Sequence, residues 1–174
     1  MALALIVPTM AASDISSTAP SIAQTSSLYN AHEFSLNLGT GYILDTSAAF
    51  QQDYSFNLAV GSTYFITRNI GVEAWLPFYS TKGASFQEVQ VGGIFRLPLS
   101  ADKAILKNVA PYVGVAAVYN WDTDSTWGYI AKVGSEFRLN KKWSTFIEGQ
   151  YRNDEFQNWG QGQVNLVGGL KLIF

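Results

Sequence analysis

The chain contains no cysteine and one histidine, His32. Disulfides, thiolate metal sites and cysteine nucleophiles are thereby excluded, and a single imidazole cannot build the usual histidine metal clusters. Charge is scarce as well: Asp, Glu, Lys and Arg make up 14 % of the residues, against ~25 % in ordinary globular domains. A surface that charge does not cover must be covered by something else. The net charge of -2 at pH 7 offers no basic field, so nucleic acid is excluded as a partner class. No apolar run reaches the ~18 residues that a membrane-spanning helix needs. Any spanning structure has to be made of strands.

In place of charge the chain has aromatic residues, 14 % of the total, and 15 glycines. Its 174 residues suffice for one domain. Residues 1–12 include the stretch Ala2 to Ala12, short, apolar and rich in small residues, which suits the apolar core and cleavage end of a secretory signal peptide. The basic leader of such a signal is missing, so a truncated signal is expected, with its start upstream. Residues 13–31 are Ser/Thr/Ala-rich around Pro20 and lack periodicity. They read as a flexible lead-in, with no function assigned.

From residue 32 to residue 174 the sequence alternates between period-two segments and turn residues, and no helix-period stretch of useful length occurs. Eight strands are expected, over Glu33 to Leu44, Tyr54 to Thr67, Ile70 to Tyr79, Phe86 to Leu97, Val109 to Trp121, Thr126 to Leu139, Trp143 to Arg152 and Gln163 to Phe174. Most are long enough to cross a bilayer when tilted, which takes ~9 to 11 residues. The connections sort by side: short after the second and sixth strands, longer and polar after the first, third and seventh. The connection Ser100 to Asn108 is longer than that scheme requires.

Every strong charge within a strand falls in one phase. Glu33, Glu73, Glu88, Glu136 and Glu148 supply five acids, and Arg96, Lys132, Arg138, Arg152 and Lys171 supply five bases. The set is neutral and can pair, which is the condition for burying it. The same phase holds many small residues, among them Gly39, Ala59, Gly61, Gly92, Gly114, Gly134 and Gly169. Those suit a crowded interior. The opposite phase places Tyr119, Trp121, Trp127 and Tyr151 toward the long-loop end and Phe137, Trp143 and Phe174 toward the short-turn end, with aliphatic residues between. Two aromatic girdles flanking an apolar band are the pattern of a membrane barrel. A soluble lipocalin-like barrel binding an apolar small ligand would use the same alternation with its faces exchanged, and it stands as the alternative.

The last strand, Q-V-N-L-V-G-G-L-K-L-I-F, ends on Phe174 with Gly168, Leu170 and Leu172 in its phase. It resembles the C-terminal signature of bacterial outer-membrane β-barrels. With the faces above, the chain from residue 32 onward resembles the small eight-stranded group that includes the OmpA transmembrane domain, OmpX and the opacity proteins. That resemblance implies an all-β, antiparallel, up-and-down transmembrane barrel in the outer membrane of a Gram-negative cell. It also implies outer-membrane lipid as the surround, and barrel-assembly machinery that reads Gly168, Leu170, Leu172 and Phe174. A monomer without cofactor or metal is expected. Two departures weaken the adhesive and anchoring roles of the group: the loops are short, and no peptidoglycan-binding domain follows Phe174.

Catalysis finds little support. Some barrels of this size modify lipid A with a His, a Ser and an acid near the outer surface, whereas His32 opens the first strand at the opposite end with no His-x-Ser pattern. The doublets Gly92-Gly93 and Gly168-Gly169 precede no helix and carry no Lys-Ser/Thr pair, so they are strand glycines rather than phosphate loops. Trp159 reads as a membrane-interface anchor. The ten lumen charges read as a salt-bridged plug, since an interior of eight strands is filled by its own side chains. A narrow channel is the further alternative.

Overall fold

A computed structural model describes residues 28–44, 56–81, 84–99, 106–121, 126–153 and 163–174. The signal segment, most of the lead-in, Tyr54 and Trp159 lie outside them. Eight strands run β1 Glu33–Leu44, β2 Phe56–Phe65, β3 Ile70–Thr81, β4 Ala84–Arg96, β5 Val109–Asn120, β6 Thr126–Arg138, β7 Trp143–Asn153 and β8 Gln163–Ile173. Each pairs antiparallel with its sequence neighbours, and β8 closes on β1. The protein is a closed, up-and-down, eight-stranded β-barrel. Closure leaves no strand edge unpaired, which is what lets a chain end on an apolar strand.

The partner register fixes the tilt. Followed round the ring from Glu33 through Phe65, Gly71, Ile94, Gly114, Lys132, Gln150 and Asn165, it returns to β1 at Ile43. That is a displacement of ten residues, so the strands cannot stand parallel to the barrel axis. An even strand count puts the start of β1 and the finish of β8 at one end, called here the terminal end. The other is the distal end.

At the terminal end two connections are tight. In the first, Thr67 Oγ1 accepts from the backbone N–H of Asn69 and of Ile70, at 3.2 and 2.9 Å. In the second, Asn140 Oδ1 accepts from Lys142 N–H and Trp143 N–H at 2.8 and 3.0 Å. Both are side-chain-capped turns of the kind Asn and Thr favour. The third connection ends in a 3-10 turn, Leu106–Asn108. The longer polar loop expected after the third strand is corrected to residues 82 and 83, because β3 and β4 continue pairing as far as Thr81 and Ala84. β2 ends at Phe65 rather than at Thr67.

Alternation now has a direction. Leu36, Leu38, Leu58, Val60, Val72, Leu76, Val91, Val113, Val133, Ile147, Leu166 and Leu170 point outward and are exposed. The inward face buries the charged and amide side chains together with Trp75, Tyr79, Tyr112 and Phe146. Large rings fit because glycines face them. Gly61 pairs with Trp75, Gly134 with Tyr112 and Gly169 with Phe146, and a Cβ at those glycines would meet the ring at 2.5, 2.6 and 2.7 Å.

Candidate functional site in the barrel lumen

All ten charged residues of the single-phase set lie in the lumen, each no more than 6 % exposed. They gather in three layers. At the terminal end Arg96 Nη1 contacts Glu33 Oε1 at 2.9 Å, and Arg138 Nη2 reaches the same oxygen at 2.7 Å. Glu136 completes the layer. It faces Arg96 at 3.9 Å, Arg138 at 3.2 Å and Lys171 at 3.1 Å. Arg96 also donates to the carbonyls of Arg68 and Asn30, at 3.0 and 3.1 Å, and stacks 3.4 Å above the Phe65 ring centroid. Three cations share two carboxylates here.

The middle layer has the reverse imbalance. Lys132 Nζ lies 2.6 Å from Glu73 Oε1 and 3.7 Å from Glu148 Oε1. Neutral donors serve the remaining carboxylate oxygens: Trp75 Nε1 donates to Glu73 Oε2 at 3.2 Å, Tyr112 OH to Glu148 Oε2 at 2.9 Å, and Gln150 Nε2 to Glu148 Oε1 at 2.6 Å. The third layer, toward the distal end, holds the ion pair of Arg152 Nη2 with Glu88 Oε2 at 2.6 Å. Tyr79 OH and Gln90 Nε2 both donate to Glu88 Oε1, at 3.0 and 2.7 Å. The excess positive charge of the first layer and the excess negative charge of the second cancel. Tyr112 links them, since Lys171 Nζ stands 5.5 Å from its ring centroid.

Apolar side chains separate the layers. Phe65, Ile94 and Tyr112 form one cluster, Ala59, Trp75, Phe146 and Val167 a second, and Ala116, Val118 and Ile130 a third. The lumen is therefore a mixed core rather than a column of charge. Between the second and third layers a cavity of about 20 Å³ is bordered by Asn57, Trp75, Tyr79, Gln90, Glu148 and Gln150. That is room for about one water molecule, and Asn57 Oδ1 is without a hydrogen-bond partner there.

The other residues singled out by sequence lie on the outer face or at its rims. Trp121, Trp127, Tyr151, Phe137, Trp143 and Phe174 are exposed there, and Tyr119 is half-buried, stacked 4.8 Å from Trp127. On β8 Leu170 points outward, and Gly168 and Leu172 are partly covered. His32 is exposed at the terminal end, with Nδ1 3.0 Å from Tyr64 OH. Among the described residues no group of three or more His, Asp or Glu side chains is placed to hold a metal ion.

Sequence reasoning missed several lumen residues, among them Trp75, Tyr79, Tyr112 and Tyr29. Trp75 and Tyr79 stand two and six positions after Glu73, in its phase, and Tyr112 is two before Gly114; phase alone would have moved all three inside. Tyr29 had no such signal. It lies in the lead-in to which no function was assigned, yet it is 1 % exposed. Of the lead-in, residues 28–31 are described, and Tyr29 is the buried one among them.

No protein-family model matches the sequence, and no curated protein matches it. Solved structures do match the fold. A de novo designed transmembrane β-barrel superposes with a TM-score of 0.61 at 16 % identity, covering 83 % of this chain and 97 % of the design. The N-terminal β-barrel domain of Pseudomonas aeruginosa OprF gives 0.61 at 10 % identity, covering 83 % and 99 %. Neisserial surface protein A gives 0.61 at 12 % identity, covering 81 % and 97 %. The fold is that of the small eight-stranded outer-membrane β-barrels.

Proposed function

We propose that the chain is an integral protein of a bacterial outer membrane, and that its salt-bridged lumen is closed to ions and carries out no catalysis. Its contribution is to envelope structure or to contacts at the cell surface. The observation that carries this reading is the outer face: an apolar band between two aromatic girdles, with the ten strand charges on the other side of the wall. In water that arrangement would leave the apolar band solvated and the charges desolvated, both unfavourable. In a bilayer the first cost disappears, and mutual pairing offsets the second. Outer-membrane lipid is thus the principal partner, and the terminal end faces the periplasm.

Heat modifiability tests the reading. Cells expressing the chain behind a complete signal peptide are fractionated, and the outer-membrane fraction is run unheated and boiled. A faster unheated band that shifts on boiling is expected. A soluble product with no shift would reverse the faces. Gly168, Leu170, Leu172 and Phe174 are proposed as the segment that the assembly machinery reads, so deleting Phe174 is expected to impair assembly in cells more than refolding in detergent. Equal impairment in both would remove that role.

A further inference from the structure

In an eight-stranded ring β5 stands across the lumen from β1, and the residues ahead of β1 reach over to it. The turn is made at His32, whose φ of 57° lies in the left-handed region that His enters more readily than most residues. Its N–H donates to Phe65 O at 2.7 Å, which fixes the turn on β2. Asn30 O then accepts from Arg96 on β4 at 3.1 Å. Beyond it Tyr29 OH lies 2.7 Å from Asn108 O, just ahead of β5, and 3.1 Å from Glu136 O on β6.

The Tyr29 ring packs against two guanidinium groups, 4.9 Å from Arg96 and 4.6 Å from Arg138. Such cation–ring contacts are attractive in desolvated surroundings, and burial beside Glu136 holds the phenol protonated, as a donor. No other described segment lies across this mouth in the same way. The layer beneath it is the one with three cations to two carboxylates.

We propose that residues 28–32 are a latch sealing the terminal end of the lumen, with Tyr29 as its bolt, and that withdrawing Tyr29 opens the positive terminal layer to small anions. The proposal deepens the closed-lumen reading and rests on it. The latch joins the wall through a few hydrogen bonds and one ring, whereas each strand is held along two full ladders. It can therefore open while the barrel stays folded.

Because the chain has no cysteine, a single introduced thiol reports on the mouth. Ser144, buried and paired across the sheet with Arg138 and Lys171, is the position for it. In folded full-length Ser144→Cys protein in detergent, reaction with an anionic methanethiosulfonate reagent is expected to be slow. Adding Tyr29→Ala is expected to raise the rate by about tenfold or more, the effect of removing one buried hydrogen bond from the closed state. Added p-cresol, which restores the missing phenol, should slow it again. A retained heat-modifiable band shows that the variant is still a barrel. Equal rates with and without Tyr29 would overturn the latch alone. Steady conductance by the unmodified chain in a planar bilayer would overturn the latch and the closed lumen together.

Discussion

Val115 and Ala116 are neighbours on β5 in opposite solvents. Val115 is 67 % exposed on the outer wall, and Ala116 is 5 % exposed inside. On the same strand pair the outer wall continues through Ala131 and Val133, while the inner one holds Gly114 against Lys132. Inside, the charged groups are tolerated because each has an oppositely charged neighbour. Outside, the aliphatic side chains of the band are exposed, and an apolar surround suits them. A substitution should therefore be judged by the face it falls on before its chemistry is considered.

The largest effect is expected inside the terminal layer. Glu136→Gln leaves Arg96, Arg138 and Lys171 with one carboxylate between them, Glu33. Breaking a buried charge network in this way costs about 3 to 5 kcal/mol, which urea titration in detergent micelles would read as a lower midpoint. A loss below about 0.5 kcal/mol, the range of ordinary surface changes, would mean that the layer is wetter than its burial implies. Next comes a charge added outside. Val115→Arg near the middle of β5 should destabilise by about 2 to 4 kcal/mol in lipid vesicles, and an unchanged vesicle-refolding yield and midpoint would count against a lipid-facing wall.

The smaller of the two lumen effects sharpens the contrast. Glu88→Gln breaks a single pair at the distal layer, with the Arg152 guanidinium 5.1 Å from the Tyr79 ring centroid. Glu88 is within ion-pair distance of one described cation, whereas Glu136 faces three. An effect of about 3 kcal/mol is expected, the low end for a broken buried ion pair, because Tyr79 and Gln90 can still donate to the amide oxygen. If Glu88→Gln proved as costly as Glu136→Gln, the layers would have to act as one network.

Much of this was legible in the sequence because the strand period is two and the charges keep to it. Glu73, Lys132 and Glu148 are far apart in the chain, yet their shared phase puts them on one wall, and closure of the barrel makes them meet. Phase cannot say which residues share a layer. The grouping of Arg96 with Glu33 and Glu136 depends on tilt, and tilt is set by a ten-residue displacement accumulated over eight registers. Aromatic character alone does not say which wall a ring takes. Trp127 and Trp75 have the same apolar character, but a glycine opposite Trp75 makes space for it indoors. Tyr29 was invisible for a different reason: a turn at a non-glycine residue leaves no periodic trace.

The central claim is that the apolar wall faces lipid and the charged wall faces inward. Single thiols at the neighbouring positions test it most directly, with Val115→Cys and Ala116→Cys each refolded into vesicles and exposed to a lipid-soluble maleimide and to a membrane-impermeant one. The account predicts that Cys at position 115 reacts only with the lipid-soluble reagent and that Cys at position 116 reacts with neither until the barrel is unfolded. Rapid reaction of the thiol at 115 with the impermeant reagent would contradict it, because that wall would then be facing water.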